Sequence, residues 1–444
     1  MSLRLWTEVP ASIRELRARF STLPEHSRAA WRWDLTAALF AGMHQGCIWP
    51  FVARVARADM HASAQEMGLI AAAPAVGYLF ATIWARQMEG RAKLPFVFWT
   101  WFLARGGFVL APLIATREQY IGLVIAMPII FSVSSPAFVA IMKDIYPDRA
   151  RGRLMSIVRM CQHSTTLLTA LIMGRLLDHG LGFRMAFVCG GIAGVSAAWA
   201  FGHIRVPATA LVVARSESAR AFFRDTADIL RRNPGYRWYA FSVFTFGFGN
   251  VIALTLYPIH QVDFFHITNT QVANLQNITS LLTSIGLMFW GSQLDRRGPQ
   301  HTVLVSILLV CAVPFIYAVA PGVWALYIAA AITGFASSGT ELGYLNTTLL
   351  YAEPGRASQY QALHSTFFGV RGTIAPLCAI PIMQAIGIRP TFWAAVCIMI
   401  VGVALQTAAI RSYGRQREAE RVADPLEAAS ASASRAAGGG RPGS

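Results

Sequence analysis

The chain has 444 residues, of which 55% are apolar and 14% are charged. Soluble domains hold roughly 25% charged and 45 to 50% apolar residues, so this composition argues against a water-soluble enzyme. The net charge of +16 would indicate a nucleic-acid partner if the basic residues formed one surface patch. In a membrane protein the same excess instead indicates which loops face the cytoplasm.

The first long apolar run begins near Leu35. No short apolar core with a small-residue cleavage site precedes this run, so we predict that the first span stays in the mature protein. The six cysteines all lie in apolar stretches without metal-ligand spacing, which is typical of small buried side chains.

Windows of about 19 residues predict twelve membrane spans along the chain. They lie at about 36–53, 67–85, 94–114, 119–142, 155–176, 184–203, 238–259, 271–293, 302–320, 323–350, 358–385 and 389–410. The predicted fold class is therefore an all-α polytopic membrane protein with two six-helix bundles.

Basic residues are distributed unevenly between the two faces of this arrangement. If the N-terminus is cytoplasmic, 29 of the 38 lysines and arginines lie in cytoplasmic loops and tails. The positive-inside rule therefore predicts that both termini are cytoplasmic. We expect an integral protein of a bacterial cytoplasmic (inner) membrane.

The two sets of six spans repeat each other with an offset that drifts between about 201 and 208 residues. Gln45 in span 1 matches Asn250 in span 7, and the triplet that starts at His163 matches the one that starts at His364. The fixed order of such matches indicates an ancient duplication. Two pseudo-symmetric halves joined by a cytoplasmic linker are typical of transporters.

This repeat defines five predicted segments. They are a cytoplasmic N-terminal segment 1–34, an N-terminal bundle 35–204, a cytoplasmic linker 205–236, a C-terminal bundle 237–411 and a disordered cytoplasmic tail 412–444. The linker and the N-terminal segment both alternate apolar residues with arginines. Two readings stay open for them: amphipathic helices on the inner membrane surface, or solvated helices.

A glycine-rich, charged motif follows span 8. Gly291, Asp295, Arg296 and Gly298 fit the pattern G-x-x-x-D-R-x-G, and the corresponding loop after span 2 keeps only Gly90, Arg91 and Lys93. Through this motif and its position, the chain resembles the major facilitator superfamily of secondary transporters. The resemblance covers about residues 34–411.

The resemblance implies two bundles that rock around a central cavity. Spans 1, 4, 7 and 10 would line the cavity, and spans 3, 6, 9 and 12 would be peripheral. Span 5 lacks the G-P-x-x-G-G signature of proton-coupled drug exporters, which lowers the expectation of a multidrug antiporter.

Charged residues inside spans are the first candidates for function, because a charge near the bilayer centre costs roughly 2.5 to 3.5 kcal/mol. Glu341 in span 10 and Arg371 in span 11 lie at similar depths. They could form a relay that a substrate or a proton breaks, or a static pair that fixes helix packing.

Polar residues of spans 1 and 7 form a second group of candidates. His44 and Gln45 lie at mid-depth between two glycines, and Asn250 occupies the matching position in span 7, with Tyr257 two turns further along. The two amides either contact a substrate or form a hydrogen bond between helices. His44 also titrates in the physiological range.

Three further residues, Arg105, His163 and His364, are predicted to have buried polar or gating roles. His163 and His364 lie near the cytoplasmic ends of spans 5 and 11, which favours a structural or gating role. Arg159 lies one turn before His163 and could extend to the interface. Arg105 in the middle of span 3 should turn inward, but the sequence identifies no partner for it.

No Walker loop, Rossmann fingerprint, catalytic triad or metal-ligand cluster is found. We therefore predict no enzyme activity, cofactor or metal, and no nucleic-acid partner. The predicted function is secondary transport of a small polar or anionic organic solute, with the proton as a candidate coupling ion, by a monomer in the lipid bilayer. The alternatives are a drug exporter of the same fold and a membrane receptor that does not transport.

Overall fold

The computed structural model describes residues 25–80, 84, 88, 91–206, 228–353 and 357–423, and every long element in these ranges is a helix. The helices are α1 (Glu25–Arg54), α2 (Ala64–Leu79), α3 (Lys93–Gly106), α4 (Arg117–Ser132), α5 (Ser135–Ile145), α6 (Asp148–Asp178), α7 (Phe183–Gly202), α8 (Pro234–Asp263), α9 (Asn269–Arg297), α10 (Pro299–Val319), α11 (Val323–Tyr351), α12 (Ala357–Ile386) and α13 (Ile388–Ala423).

Within the described residues, each of the twelve predicted spans coincides with helical structure, and span 4 is divided between α4 and α5. Residues 81–83 and 85 of span 2 lie outside the described residues. Within the described residues, seven segments are long and apolar enough to cross a membrane by themselves, and they include α7, α10 and the C-terminal helix α13. The fold is therefore all-α and integral to a membrane, as the sequence predicts. Several helices extend beyond the spans, because backbone hydrogen bonds continue into polar residues.

The described residues group into two compact units. Unit 1 comprises Met1–Ser216 and Thr255–Ser280, and unit 2 comprises Glu217–Leu254 and Leu281–Ser444. In unit 1, α1 packs against α6 and α7, and in unit 2, α10 packs against α11 and α13. The predicted segment boundaries remain a prediction.

Glycines allow α1 to approach α6 closely. A Cβ atom added to Gly42 would lie 2.5 Å from the carbonyl oxygen of Gln162, and one added to Gly46 would lie 2.6 Å from that of Thr166. Both distances are below van der Waals contact, so the backbones touch where a side chain would separate them. This contact fixes the position of Gln45 against α6.

Two helices in unit 1 end in non-α turns. α1 continues into a π-helical turn over Val55–Asp59, and α3 continues into a 3-10 turn over Gly107–Leu113. In unit 2, Gly298 ends α9 with a φ of 80°, a conformation that favours glycine. The last glycine of the loop motif therefore has a conformational reason for its identity.

Candidate functional site

A cavity of about 320 Å³ lies within unit 1. Its walls come from α1, α3, α4, α5, α6 and the turn between α4 and α5. The lining residues are Asp34, Ala37, Ala38, Ala41, Gln45, Trp101, Arg105, Phe131, Ser134, Ser135, Phe138, Met142, Met155, Val158, Arg159 and Gln162. The wall thus combines charged and amide groups with a larger apolar and aromatic surface.

Arg105 is the buried cation of this cavity, and its side chain is only 7% exposed. Its guanidinium lies over the ring of Trp101 at 3.9 Å and faces Phe131 at 5.3 Å. Its Nη1 atom has no hydrogen-bond partner among the described residues. The two aromatic rings therefore stabilise the charge by cation–π contact, while donor capacity remains unused.

The amide of Gln45 contacts α6 on the cavity wall. Its Oε1 accepts a hydrogen bond of 3.1 Å from Gln162 and a longer one of 3.5 Å from Thr166. The predicted hydrogen bond between helices is therefore present. Because Gln45 and Gln162 also line the cavity, the same amides are available to a solute.

His44, the neighbour of Gln45, points to the other side of α1. It is 4% exposed, and its Nδ1 lies 2.9 Å from the carbonyl oxygen of Gly190 on α7. A Cβ atom on Gly194 would lie 2.8 Å from the same ring nitrogen and would also touch Arg105. His44 therefore helps to hold α1, α3 and α7 together.

A second cavity of about 190 Å³ adjoins the first in unit 1. Gln45, Arg105 and Phe131 line both cavities, and His44 and Trp49 line only the second. Arg105 therefore has a surface in each cavity. The resemblance implied that span 3 is peripheral, and the side chains of Trp99 and Leu103 on α3 are indeed exposed. Trp101 and Arg105 on the same helix nevertheless line the cavity, which agrees with the expectation that Arg105 turns inward.

Asp34 supplies a carboxylate to the larger cavity. It is buried, and its Oδ2 accepts a hydrogen bond of 2.6 Å from the hydroxyl of Tyr146. The exposed Arg159 lines the same cavity and interacts electrostatically with Asp34. The cavity thus holds two guanidinium groups and one carboxylate.

The expected pair between Glu341 and Arg371 is absent from the ion pairs of the described residues. Arg371 is 4% exposed, and its Nη1 donates to the backbone carbonyl of Val243 in α8. The side chain of Glu341 is exposed. The guanidinium lies against Gly247, where any side chain would collide with it.

The remaining predicted polar residues lie in separate places. Asn250 is half-buried in unit 2, and Tyr257 is buried in unit 1. The ring of His364 stacks on Tyr239 with centroids 6.4 Å apart. His163 on α6 is exposed. His364 therefore belongs to an aromatic cluster of unit 2.

The loop motifs differ between the two halves. Asp295 and Arg296 are exposed near the end of α9. In the first half, Gly90 lies outside the described residues, and Arg91 is exposed. Lys93 is buried, and its Nζ contacts Asp144 of α5 at 2.6 Å. The two glycines of the second-half motif also differ in position: Gly291 lies within α9, and Gly298 follows the end of α9.

Within unit 1, polar contacts join the end of α1 and its π-helical turn to the end of α8 and the loop before α9, and join the end of α6 to the start of α9. Arg57 forms bidentate hydrogen bonds with Asp263, the shortest at 2.6 Å, and Arg54 donates to the carbonyl oxygen of Ile267 at 3.0 Å. Asp178 accepts hydrogen bonds from the backbone at the start of α9, including 2.9 Å from the N–H of Asn269. The carboxylate thus caps that helix.

Most residues of the site, among them Asp34, Trp101 and Arg159, were not assigned to it from the sequence. Asp34 precedes the first apolar window, Trp101 is one of many aromatics, and Arg159 was expected to extend to the interface. The sequence signal for these residues is their spacing: each lies about one helical turn from another lining residue, as Trp101 does from Arg105. Among the described residues, no group of three or more metal-ligating side chains is present.

Comparison with known proteins gives one family. The sequence profile described as Major Facilitator Superfamily matches residues 35–268 and 239–437, and no curated protein sequence matches the chain. Among solved structures, the nucleoside transporter NupG is similar with a TM-score of 0.64 and 10% identity, over 86% of this chain and 99% of NupG.

Two further solved structures have the same fold. A bacterial homolog of the human lysosomal transporter Spinster, inward-facing and unoccupied, has a TM-score of 0.62 and 14% identity over 88% of this chain and 98% of its own. The human organic anion transporter MFSD10 has a TM-score of 0.60 and 13% identity, over 86% of this chain and 100% of MFSD10. At these identities, the likeness concerns the fold.

Proposed function

Because the chain belongs to the Major Facilitator Superfamily, we propose that it is a secondary active transporter of a small polar or anionic organic solute, working by alternating access. The observation that carries this proposal is the cavity of unit 1, which contains the buried cation Arg105. Charged side chains in membrane-embedded helices are costly and mark transport pathways in many membrane proteins.

The contents of the cavity favour an organic solute. Its amides and arginines can orient a polar group, and Phe131, Phe138 and Met142 provide apolar contact. Two proteins of the same fold carry the names nucleoside transporter and organic anion transporter, which describe solutes of this general kind. Identities of 10% and 13% make the choice of solute a proposal.

We further propose that protons drive transport and that Asp34 is the coupling carboxylate. Tyr146 donates to this carboxylate at 2.6 Å, and Arg159 acts on it electrostatically. A bound solute that competes for Arg159 would change the charge balance at Asp34. Glu341 is the second candidate, without an ion pair to Arg371 in the described residues.

The orientation follows from the distribution of basic residues. We propose that both termini are cytoplasmic and that the protein is a monomer of a bacterial inner membrane, supported by the 29 lysines and arginines on one face. Cysteine variants near each terminus, labelled with a membrane-impermeant reagent in intact cells, test this orientation. Labelling of either terminus from outside would contradict it.

Flux in proteoliposomes tests transport itself. We expect counterflow of an organic anion that is stimulated by an imposed pH gradient. Asp34→Asn should abolish this stimulation, and Glu341→Gln should keep it. Binding without flux under any gradient would instead support the receptor, and flux of lipophilic cations alone would support a drug exporter.

A further inference from the structure

We propose that the cavity of unit 1 binds an organic monoanion with an apolar body, and that Arg105 holds its acidic group. This inference rests on the proposed transport function, because it names the substrate class of the same site. Carboxylates are the simplest members of this class. The proposal makes Arg105 a binding residue, whereas the sequence suggested only a buried polar role.

The first argument is the unused donor of Arg105. A guanidinium has five N–H donors and no acceptor, and this one is more than nine-tenths buried without a carboxylate partner among the described residues. A buried donor that lacks an acceptor destabilises the folded state. Arg105 also lines the cavity, so an anion there would supply an acceptor to the part of the guanidinium that faces it, and guanidinium groups match carboxylates in a bidentate geometry.

The second argument is the position of the guanidinium between aromatic rings. Trp101 lies 3.9 Å from it and Phe131 lies 5.3 Å from it, and Trp101 is fixed by its own hydrogen bond of 3.1 Å to Ser134. The rings hold the charged group at one place on the wall. Because the stacking uses the face of the guanidinium, its edge remains available for hydrogen bonds.

The third argument concerns the rest of the wall. Phe138, Met142, Met155 and Val158 also line the larger cavity. These side chains offer no hydrogen bonds beyond weak ones to sulfur, so they favour an apolar substrate body. The thioethers can adapt to bodies of different shape. An inorganic anion would leave this surface unused.

The charge balance favours one negative charge. Arg105 and Arg159 contribute two positive charges to the lining, and Asp34 contributes one negative charge. One bound anionic group leaves the site neutral. A second anionic group would give the site a net negative charge, which is costly in a buried place.

The cavity volumes favour a small molecule. The larger cavity of about 320 Å³ lies at the lower end of the range of roughly 300–1,000 Å³ for ligand pockets. The adjoining 190 Å³ cavity shares Gln45, Arg105 and Phe131 with it. A single ring with a short acidic chain fits this description.

A matched ligand series tests the proposal on the full-length protein in neutral-lipid nanodiscs. The three probes are 3-phenylpropanoate, 3-phenylpropanamide and 3-phenylpropylamine, which share one body and differ in charge. Calorimetry against empty nanodiscs measures the affinity. We expect the carboxylate to bind about 10- to 100-fold more tightly than the amide, as hydrogen bonds to a charged group predict, and the amine to bind no better than the amide.

Variants assign the effect to Arg105. Arg105→Gln should reduce carboxylate affinity about 10- to 100-fold and leave amide affinity unchanged, and Arg105→Lys should retain part of the preference because it keeps the charge without the planar fork. Arg184→Gln is the matched control, since Arg184 donates to the backbone of Ile114 and lines neither cavity. The wild-type ligand series decides the question even if Arg105→Gln does not fold.

Equal affinity for the carboxylate and the amide would overturn the proposal, and so would an unchanged carboxylate affinity in Arg105→Gln. Counterflow separates this failure from failure of the transport function. Carboxylate binding without flux leaves the anion site standing and contradicts transport. Flux of the amide or amine without any preference for the carboxylate supports transport and contradicts the anion site.

Discussion

The contact between α1 and α6 predicts a steric effect at Gly46. In Gly46→Ala, the new methyl carbon would lie 2.6 Å from the carbonyl oxygen of Thr166, 2.8 Å from Cβ of Thr169 and 2.9 Å from the backbone nitrogen of Ala170. Ordinary contact begins at 3.4 Å, so α6 would have to move. Two of the three atoms are backbone atoms, so no side-chain rotation relieves the collision.

The magnitude follows from two opposing terms. Overpacking lowers the free energy of unfolding by about 1 to 3 kcal/mol. The higher helix propensity of alanine relative to glycine raises it by up to about 1 kcal/mol. A net loss of about 1 to 2 kcal/mol corresponds to roughly 2 to 8 °C in Tm for a unit of about 150–250 residues. Because Gln45 precedes Gly46, the displacement should also weaken its contact with Gln162.

Thermal unfolding of purified protein, followed by tryptophan fluorescence, measures this loss. The matched control is Gly122→Ala on α4, where an added Cβ meets nothing within 4 Å. We expect the control to melt at or slightly above the wild-type temperature. If Gly46→Ala and Gly122→Ala have the same Tm, close backbone contact between α1 and α6 does not stabilise the unit.

Three further predictions concern polar contacts. A double-mutant cycle of Arg57→Ala and Asp263→Ala, measured by thermal unfolding, should give a coupling energy of about 1 kcal/mol, because the ion pair is bidentate but partly exposed. Additive effects of the two substitutions would refute this coupling. Burial raises the pKa of Asp178, but hydrogen bonds from the start of α9 outweigh it and hold the pKa below the ordinary 3.8. The ionised carboxylate therefore stabilises the fold above about that pH, and this stabilisation is lost as the pH falls through the lowered pKa. Asp178→Asn should have a lower Tm than wild type at neutral pH, and the two Tm values should converge only in strong acid. A difference in Tm that does not change with pH would refute this. Gly247→Ala should lower the Tm by several degrees through collision with Arg371, and adding Arg371→Ala should restore part of the loss; no recovery would refute the collision.

The helices were predictable because lipid imposes a simple rule on composition. Stretches of about 20 apolar residues must satisfy their backbone hydrogen bonds internally, so the predicted spans are helical. The exact ends were not predictable in this way. α6 runs from Asp148 to Asp178 and α1 begins at Glu25, because hydropathy marks the lipid boundary and not the last helical hydrogen bond.

The site was predictable only in part, because depth along a helix does not determine direction around it. Glu341 and Arg371 are predicted to lie at similar depths, yet one side chain is exposed and the other is buried against α8. Arg105 was recognised as costly in lipid, but its aromatic partners became evident only from the packing of α3. Rotation about a helix axis depends on neighbours that hydropathy does not reveal.

The π-helical turn at Val55–Asp59 has a consequence for protein engineering and for evolution. A π-helical turn contains more residues than an α-helical turn, because its hydrogen bonds join residues i and i+5. Deleting one residue there would restore α-helical winding and rotate the following side chains by about 100°. Arg57 would then lose Asp263 and the carbonyl oxygen of Ala62 together. Relatives that lack the extra residue should therefore also lack this pair of contacts, so chain length at this turn identifies which relatives share the contact.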